Sequence, residues 1–167
     1  MLVLGIDPGT ATTGYGLVRE TPEGGLQYVD CGVILTPAGM PQDRRLVMLY
    51  EQFMEILLLH RPDSGAVEKL FFSRNVTTAI TVGQARGVLL LGMAQKGVSV
   101  AEYTPMEVKQ AVSGYGGADK QQVQLMVQAI LQLETIPRPD DAADALAVAV
   151  CHVQNYRMRA LLDSPGN

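Results

Sequence analysis

Cysteine is scarce in this sequence. Cys31 and Cys151 are its only two, and no CxxC pair or zinc-ligand spacing involves them. That argues against a zinc-bound or disulfide-framed module and predicts free thiols in a reducing compartment. Histidine is as rare: His60 and His152 have no partner at a metal-binding spacing, so each is read as a packed or helix-surface residue. Long apolar runs are missing too. The run Val88 to Ala94 is interrupted by Gly92 and falls far short of the roughly 18 residues of a membrane span. No basic lead opens the chain and Asp7 cuts its first apolar run short, so a cytoplasmic protein without a membrane segment is expected. Nor is there a basic excess. With 13 Lys and Arg against 17 Asp and Glu, the net charge of −4 argues mildly against a nucleic-acid binder. It does not exclude one, because a carboxylate-lined site lowers the net charge while a few placed lysines track phosphates.

The sequence does hold enough material for one core, with 167 residues and an apolar fraction of 47%. It carries no internal repeat or low-complexity tract. One domain over residues 1–162 is expected, with a frayed tail at 163–167. The first sixteen residues organise the rest. Leu2 to Ile6 reads as a buried strand that stops at Asp7, and Pro8-Gly9 turns the chain into a return strand, Thr12 to Val18. A third strand is read over Leu26 to Leu35, and an amphipathic helix over Gln42 to His60, where Leu46, Leu49, Phe53 and Leu57 recur at threes and fours. Gly65 to Glu68 resumes as a strand leading into Leu70-Phe71-Phe72. A helix of small residues, Asn75 to Gln95, is read as deeply packed or as a subunit contact. Gly97 to Tyr103 is the fifth strand. Three helices close the chain: Pro105 to Val112, Ala118 to about Leu133, and Asp141 to about Leu161, the last capped by Asp140 or Asp141. This order predicts an α/β protein, an antiparallel meander of three strands extended by two right-handed crossovers, with helices on both faces.

Four acids stand out against that background. Asp7 sits where a buried strand surfaces, and Glu68 interrupts a β-type apolar run, where glutamate is costly to bury unpaired. Both are expected on adjacent central strands. On the last helix Asp141 and Asp144 are three apart and share a face, with Cβ atoms about 5–6 Å apart. Asp140 and Asp144 are four apart and fit almost as well; spacing does not choose between them. Carboxylates converging this way repel one another unless hard divalent cations join them, and magnesium takes oxygen ligands of this kind. A pair of such ions is the usual clamp for in-line phosphoryl displacement.

The stretches Leu4 to Thr10, Thr13 to Gly16, Ala66 to Phe71, Gly83 to Gly87, Val108 to Gln110, Gly114 to Val123 and Asp141 to Ala147 together resemble the RuvC family of Holliday-junction resolvases, in order and over roughly residues 2 to 155. The resemblance implies an RNase H-like fold, a homodimer, and metal-dependent nicking of two opposed strands of a four-way DNA junction. Mg2+ is the implied cofactor, two ions per site, with Mn2+ as a substitute. Position by position it makes Asp7, Glu68, Asp141 and Asp144 the metal ligands, preferring Asp141 to Asp140. It assigns Lys120 to catalysis and DNA contact and Lys109 to DNA contact. It places Phe71 against unstacked junction bases; Arg74 is assigned to the same DNA surface. The family also implies contact with the branch-migration motor proteins of its pathway, and subunit pairing through the small-residue helix. Gly-Ile-Asp-x-Gly-Thr also opens the sugar-kinase and chaperone-ATPase fold, but that fold needs two domain copies to enclose a nucleotide.

Overall fold

Leu2, Leu4 and Ile6 alternate with Val3 along the first strand, and the two sets enter different cores. Successive side chains of a strand point to opposite faces, so this strand is buried on both. The computed structural model describes residues 1–69 and 76–163. In it, β1 (Leu2–Asp7), β2 (Thr12–Glu20) and β3 (Leu26–Leu35) form an antiparallel meander, and β4 (Ser64–Glu68) and β5 (Ser99–Tyr103) add in parallel, giving the order β3-β2-β1-β4-β5. The mixed sheet is the one expected from the sequence.

Helices α1 (Gln42–His60) and α2 (Val76–Gln95) cover one face. Leu49, Phe53, Leu57, Leu89 and Met93 pack there on Leu4, Ile6, Leu17 and Val67. The other face carries α3 (Pro105–Ser113), α4 (Lys120–Ile130) and α5 (Asp140–Asp163), whose Val108, Val123, Val127 and Leu146 meet Val3, Val18 and Ala66. Phe53 is fully buried, and truncating such a phenylalanine to alanine costs about 3–5 kcal/mol.

Several readings need correction. β2 runs to Glu20 rather than Val18, because its ladder with β3 continues beyond a register shift at Leu17/Val18. β5 starts at Ser99, since Gly97 takes a φ of 69° and bonds back to Ala94 to end α2. The helix α4 stops at Ile130, where the following residues turn and Gln132 adopts a φ of 53°. α5 begins at Asp140, with the Pro139 carbonyl accepting from Ala142, so Asp140 and Asp141 lie in its first turn and neither is the cap. Finally, α2 is not deeply packed. It is long and apolar enough to cross a membrane by composition, yet it buries Ala85, Leu89, Gly92 and Met93 on one side while Val76, Ile80 and Leu91 stay more than half exposed on the other.

Both thiols are free, Cys151 buried and Cys31 partly so. His152 is a packed residue: Ser64 Oγ lies 2.7 Å from its Nε2 and the Tyr103 hydroxyl 2.9 Å from its Nδ1. His60 instead meets Asp30 at 3.1 Å.

Candidate active site

Asp7 ends β1, one residue beyond the Ile6–Val67 pair, and Glu68 ends β4 at the same level. Strand alternation puts Asp7 on the side of Val3, and Glu68 on the side of Ala66. Both of those residues pack toward α5, so the two carboxylates face the same helix. The helix approaches closely because two glycines let it. A Cβ on Gly5 would collide with the Ala145 carbonyl, and one on Gly14 would collide with the carbonyl of Asp141. Gly14 pairs with Asp7 across the β1–β2 ladder. The missing side chain opposite Asp7 is therefore what seats the N-terminal end of α5, which carries Asp141 and Asp144, above it.

The electrostatics report that convergence. Burial, then the charges of Glu68, Asp144 and Asp141, push the Asp7 carboxyl up to about 8, with Lys120 opposing. Burial and Asp144 also raise Glu68, against the pull of Lys109. Asp144 is raised chiefly by burial, while Lys120 draws it back. Of the two aspartates that spacing left open, Asp141 and not Asp140 is among the charges acting on Asp7.

Lysines complete the cleft. Glu68, Asp144, Lys109 and Lys120 line a cavity of about 230 Å³ floored by Val108, Val123 and Ala147. Lys109 comes from α3, whose start is held by a capping box between Thr104 and Glu107. Lys120 is the first residue of α4, behind the Asp119 cap and its reciprocal partner Gln122. Its ammonium lies 3.1 Å from Asp144 and 3.4 Å from Asp140. Asp140 also binds Arg138 at 2.5 Å. The contact with Lys120 joins residues distant in sequence and is invisible to spacing rules. Arg86 is not among the residues lining this cavity and pairs with Glu102 at 2.5 Å. Phe71 and Arg74 lie outside the described residues.

Among the described residues no three Asp, Glu, His or Cys side chains stand close enough to form a ready metal cage. The donor set nonetheless fits a hard divalent cation. It is all carboxylate, it is partly buried, and its members raise one another's proton affinity with two lysines as the nearby cations.

Residues 3–152 match the family described as Crossover junction endodeoxyribonuclease RuvC. The protein of that name from Syntrophomonas wolfei subsp. wolfei is 56% identical over 164 residues, covering 98% of this chain and 95% of the relative. The Thermus thermophilus RuvC structure superposes with a TM-score of 0.89 at 40% identity, covering 95% of this chain and 97% of that one. T. thermophilus RuvC in complex with a Holliday junction substrate gives 0.87 at 37% identity, over 95% and 96% of the two chains. The sheet order, the helix layers and the acid-bearing ends of β1, β4 and α5 thus sit on an RNase H-like scaffold. The chain belongs to the RuvC family of crossover junction endodeoxyribonucleases.

Proposed function

We propose that the chain, as a single nuclease domain over residues 1–162, resolves four-way DNA junctions by symmetric paired nicks, with Asp7, Glu68, Asp141 and Asp144 holding two magnesium ions, for which manganese substitutes. The observation that carries this reading is the convergence of the acids: burial, and then the charges of Glu68, Asp144 and Asp141, push the partly buried Asp7 carboxyl up to about 8. Bound there, the metal would supply a water nucleophile at neutral pH and stabilise the departing 3′ oxygen, leaving 5′-phosphate and 3′-hydroxyl ends.

The protein's own residues do the rest. The four carboxylates set the cleft's charge and shape, and the apolar floor of Val108, Val123 and Ala147 limits water below it. Lys120 is poised to neutralise charge developing on the scissile phosphate, while Lys109, beside Glu68, holds the neighbouring backbone phosphate. Phe71 stacks on an unpaired junction base, worth about 1–3 kcal/mol, and Arg74 steadies the adjacent strand. Two opposed nicks need two sites, which a homodimer provides. Support for pairing through α1 and α2 comes from their exposed apolar face, where Leu46, Val47, Tyr50, Val88 and Leu91 line a groove of about 350 Å³. The enzyme acts in the cytoplasm, with the family's branch-migration motor proteins as partners.

The test is incubation of the wild type, Asp7→Asn and Glu68→Gln with labelled four-way junction, linear duplex and ATP in parallel, with magnesium present. The wild type is expected to nick the junction alone. Each variant loses at least about 100-fold in rate yet still binds the junction. Full nicking by either variant, or turnover of ATP in place of DNA, would remove this assignment.

A further inference from the structure

Lys120 stands at a position that a cation ordinarily avoids. It is the first residue of α4, where the backbone N–H groups and the helix dipole favour negative charge. Its side chain is half exposed, on a long flexible stem. Two carboxylates one turn apart on α5 hold it: Asp144 at 3.1 Å and Asp140 at 3.4 Å. The oxygens of Asp140 are divided. Oδ2 faces Lys120 and Oδ1 takes the Arg138 guanidinium from two residues earlier, which fixes the plane of the carboxylate. Buried Gln124 comes from one turn further along α4 than Lys120. The Gln124 amide, then Lys120 and Arg138, hold Asp140 below the ordinary carboxylate range, although Gln124 Nε2 is outside strict hydrogen-bond geometry to any described partner.

The two anchors differ in what else they do. Asp144 presses on Asp7 and Glu68 and belongs to the acid cluster, whereas Asp140 acts on Asp144 but on neither Asp7 nor Glu68. We infer that Asp140, oriented by Arg138, is a positioning residue that keeps the Lys120 ammonium at the cleft when Asp144 turns its oxygens to the acid cluster. The inference rests on the catalytic role of Lys120 proposed above. An ion pair this exposed adds little to folding stability, so its loss should appear in the reaction and not in the fold.

A double-mutant cycle tests it. Single-turnover cleavage is measured at saturating junction and magnesium for the wild type, Asp140→Asn, Asp140→Glu, Lys120→Ala and Asp140→Asn combined with Lys120→Ala, alongside melting midpoints and junction affinity without divalent ions. Asp140→Asn is expected to slow cleavage about 10-fold with affinity and melting unchanged, and Asp140→Glu to recover most of the rate. In the Lys120→Ala background Asp140→Asn adds nothing. Zero-length carbodiimide coupling read by mass spectrometry gives a second readout: the Lys120–Asp140 cross-link persists in magnesium while the Lys120–Asp144 cross-link fades. Equal slowing in both backgrounds, a wild-type rate for Asp140→Asn, a defect that tracks a lowered melting midpoint, or loss of the Lys120–Asp140 cross-link in magnesium each overturns the inference. If Lys120→Ala itself cleaves at the wild-type rate, the proposed role of Lys120 falls and this inference with it. A slow Lys120→Ala that is uncoupled from Asp140 sinks the inference alone.

Discussion

Ionising Asp7 means placing charge on a partly buried group where Glu68, Asp144 and Asp141 already press. Its folded-state pKa, about 8, lies above the ordinary 3.8, so the folded protein holds the proton more tightly than the unfolded chain. Stability from this group is complete below pH 3.8 and is lost as pH rises toward 8. Glu68 and Asp144 shift the same way, and buried His152, with its pKa lowered, acts in the opposite sense as pH falls. The comparison that isolates Asp7 is therefore wild type against Asp7→Asn. In a metal chelator at pH 8, urea denaturation should find Asp7→Asn more stable by about 1–3 kcal/mol, with the gap closing toward pH 4. Magnesium should stabilise the wild type and leave the variant unmoved. A variant less stable at pH 8 would contradict the crowding of the acids. At this scale the sequence revealed Asp7 and Glu68 through broken local rules, a carboxylate at a buried strand end and another within an apolar strand. The tethering of Lys120 by Asp140 was not legible, because no periodicity links α4 to the start of α5.

Elements deliver those residues, and the contact of α5 with the sheet decides the site. Small residues line the joint: Ala142, Ala145 and Ala149 on the helix are fully buried, with Gly5 and Gly14 beneath. Gly14→Ala would force the first turn of α5 off the sheet. A loss of about 1–3 kcal/mol is expected, and cleavage should fall further than stability accounts for, because Asp141 and Asp144 move with the turn. Urea midpoints and single-turnover rates on the same preparation check this, and a variant with wild-type rate and stability would show that the seating is looser than the geometry indicates. β3 and α1 were readable to the residue, since their apolar patterns and flanking turns agree. The start of α5 was not, because Asp140 and Asp141 both look like caps in sequence, while in the fold both lie inside the helix, whose first backbone bonds run to the Pro139 carbonyl.

For the whole molecule, paired nicking requires two clefts at a fixed spacing, and the exposed side of α2 is the surface proposed to set it. Leu91 is 53% exposed and lines the groove against α1. Leu91→Glu should leave the fold and the metal-free pH behaviour intact, shift the protein to monomer in sedimentation equilibrium, and convert paired nicks to single ones on a supercoiled cruciform. A variant that remains dimeric would place the subunit contact elsewhere. The sequence by itself determined the element order, the mixed sheet and which acids break the local pattern, because alternation, helical periodicity and turn chemistry act within a few residues. Only the tertiary structure decided that Asp141 rather than Asp140 presses on Asp7, that Gly14 makes room for it, and that Lys120 stands between two aspartates. Those outcomes depend on which backbones approach within van der Waals distance across the sheet, and short-range patterns carry no record of that approach.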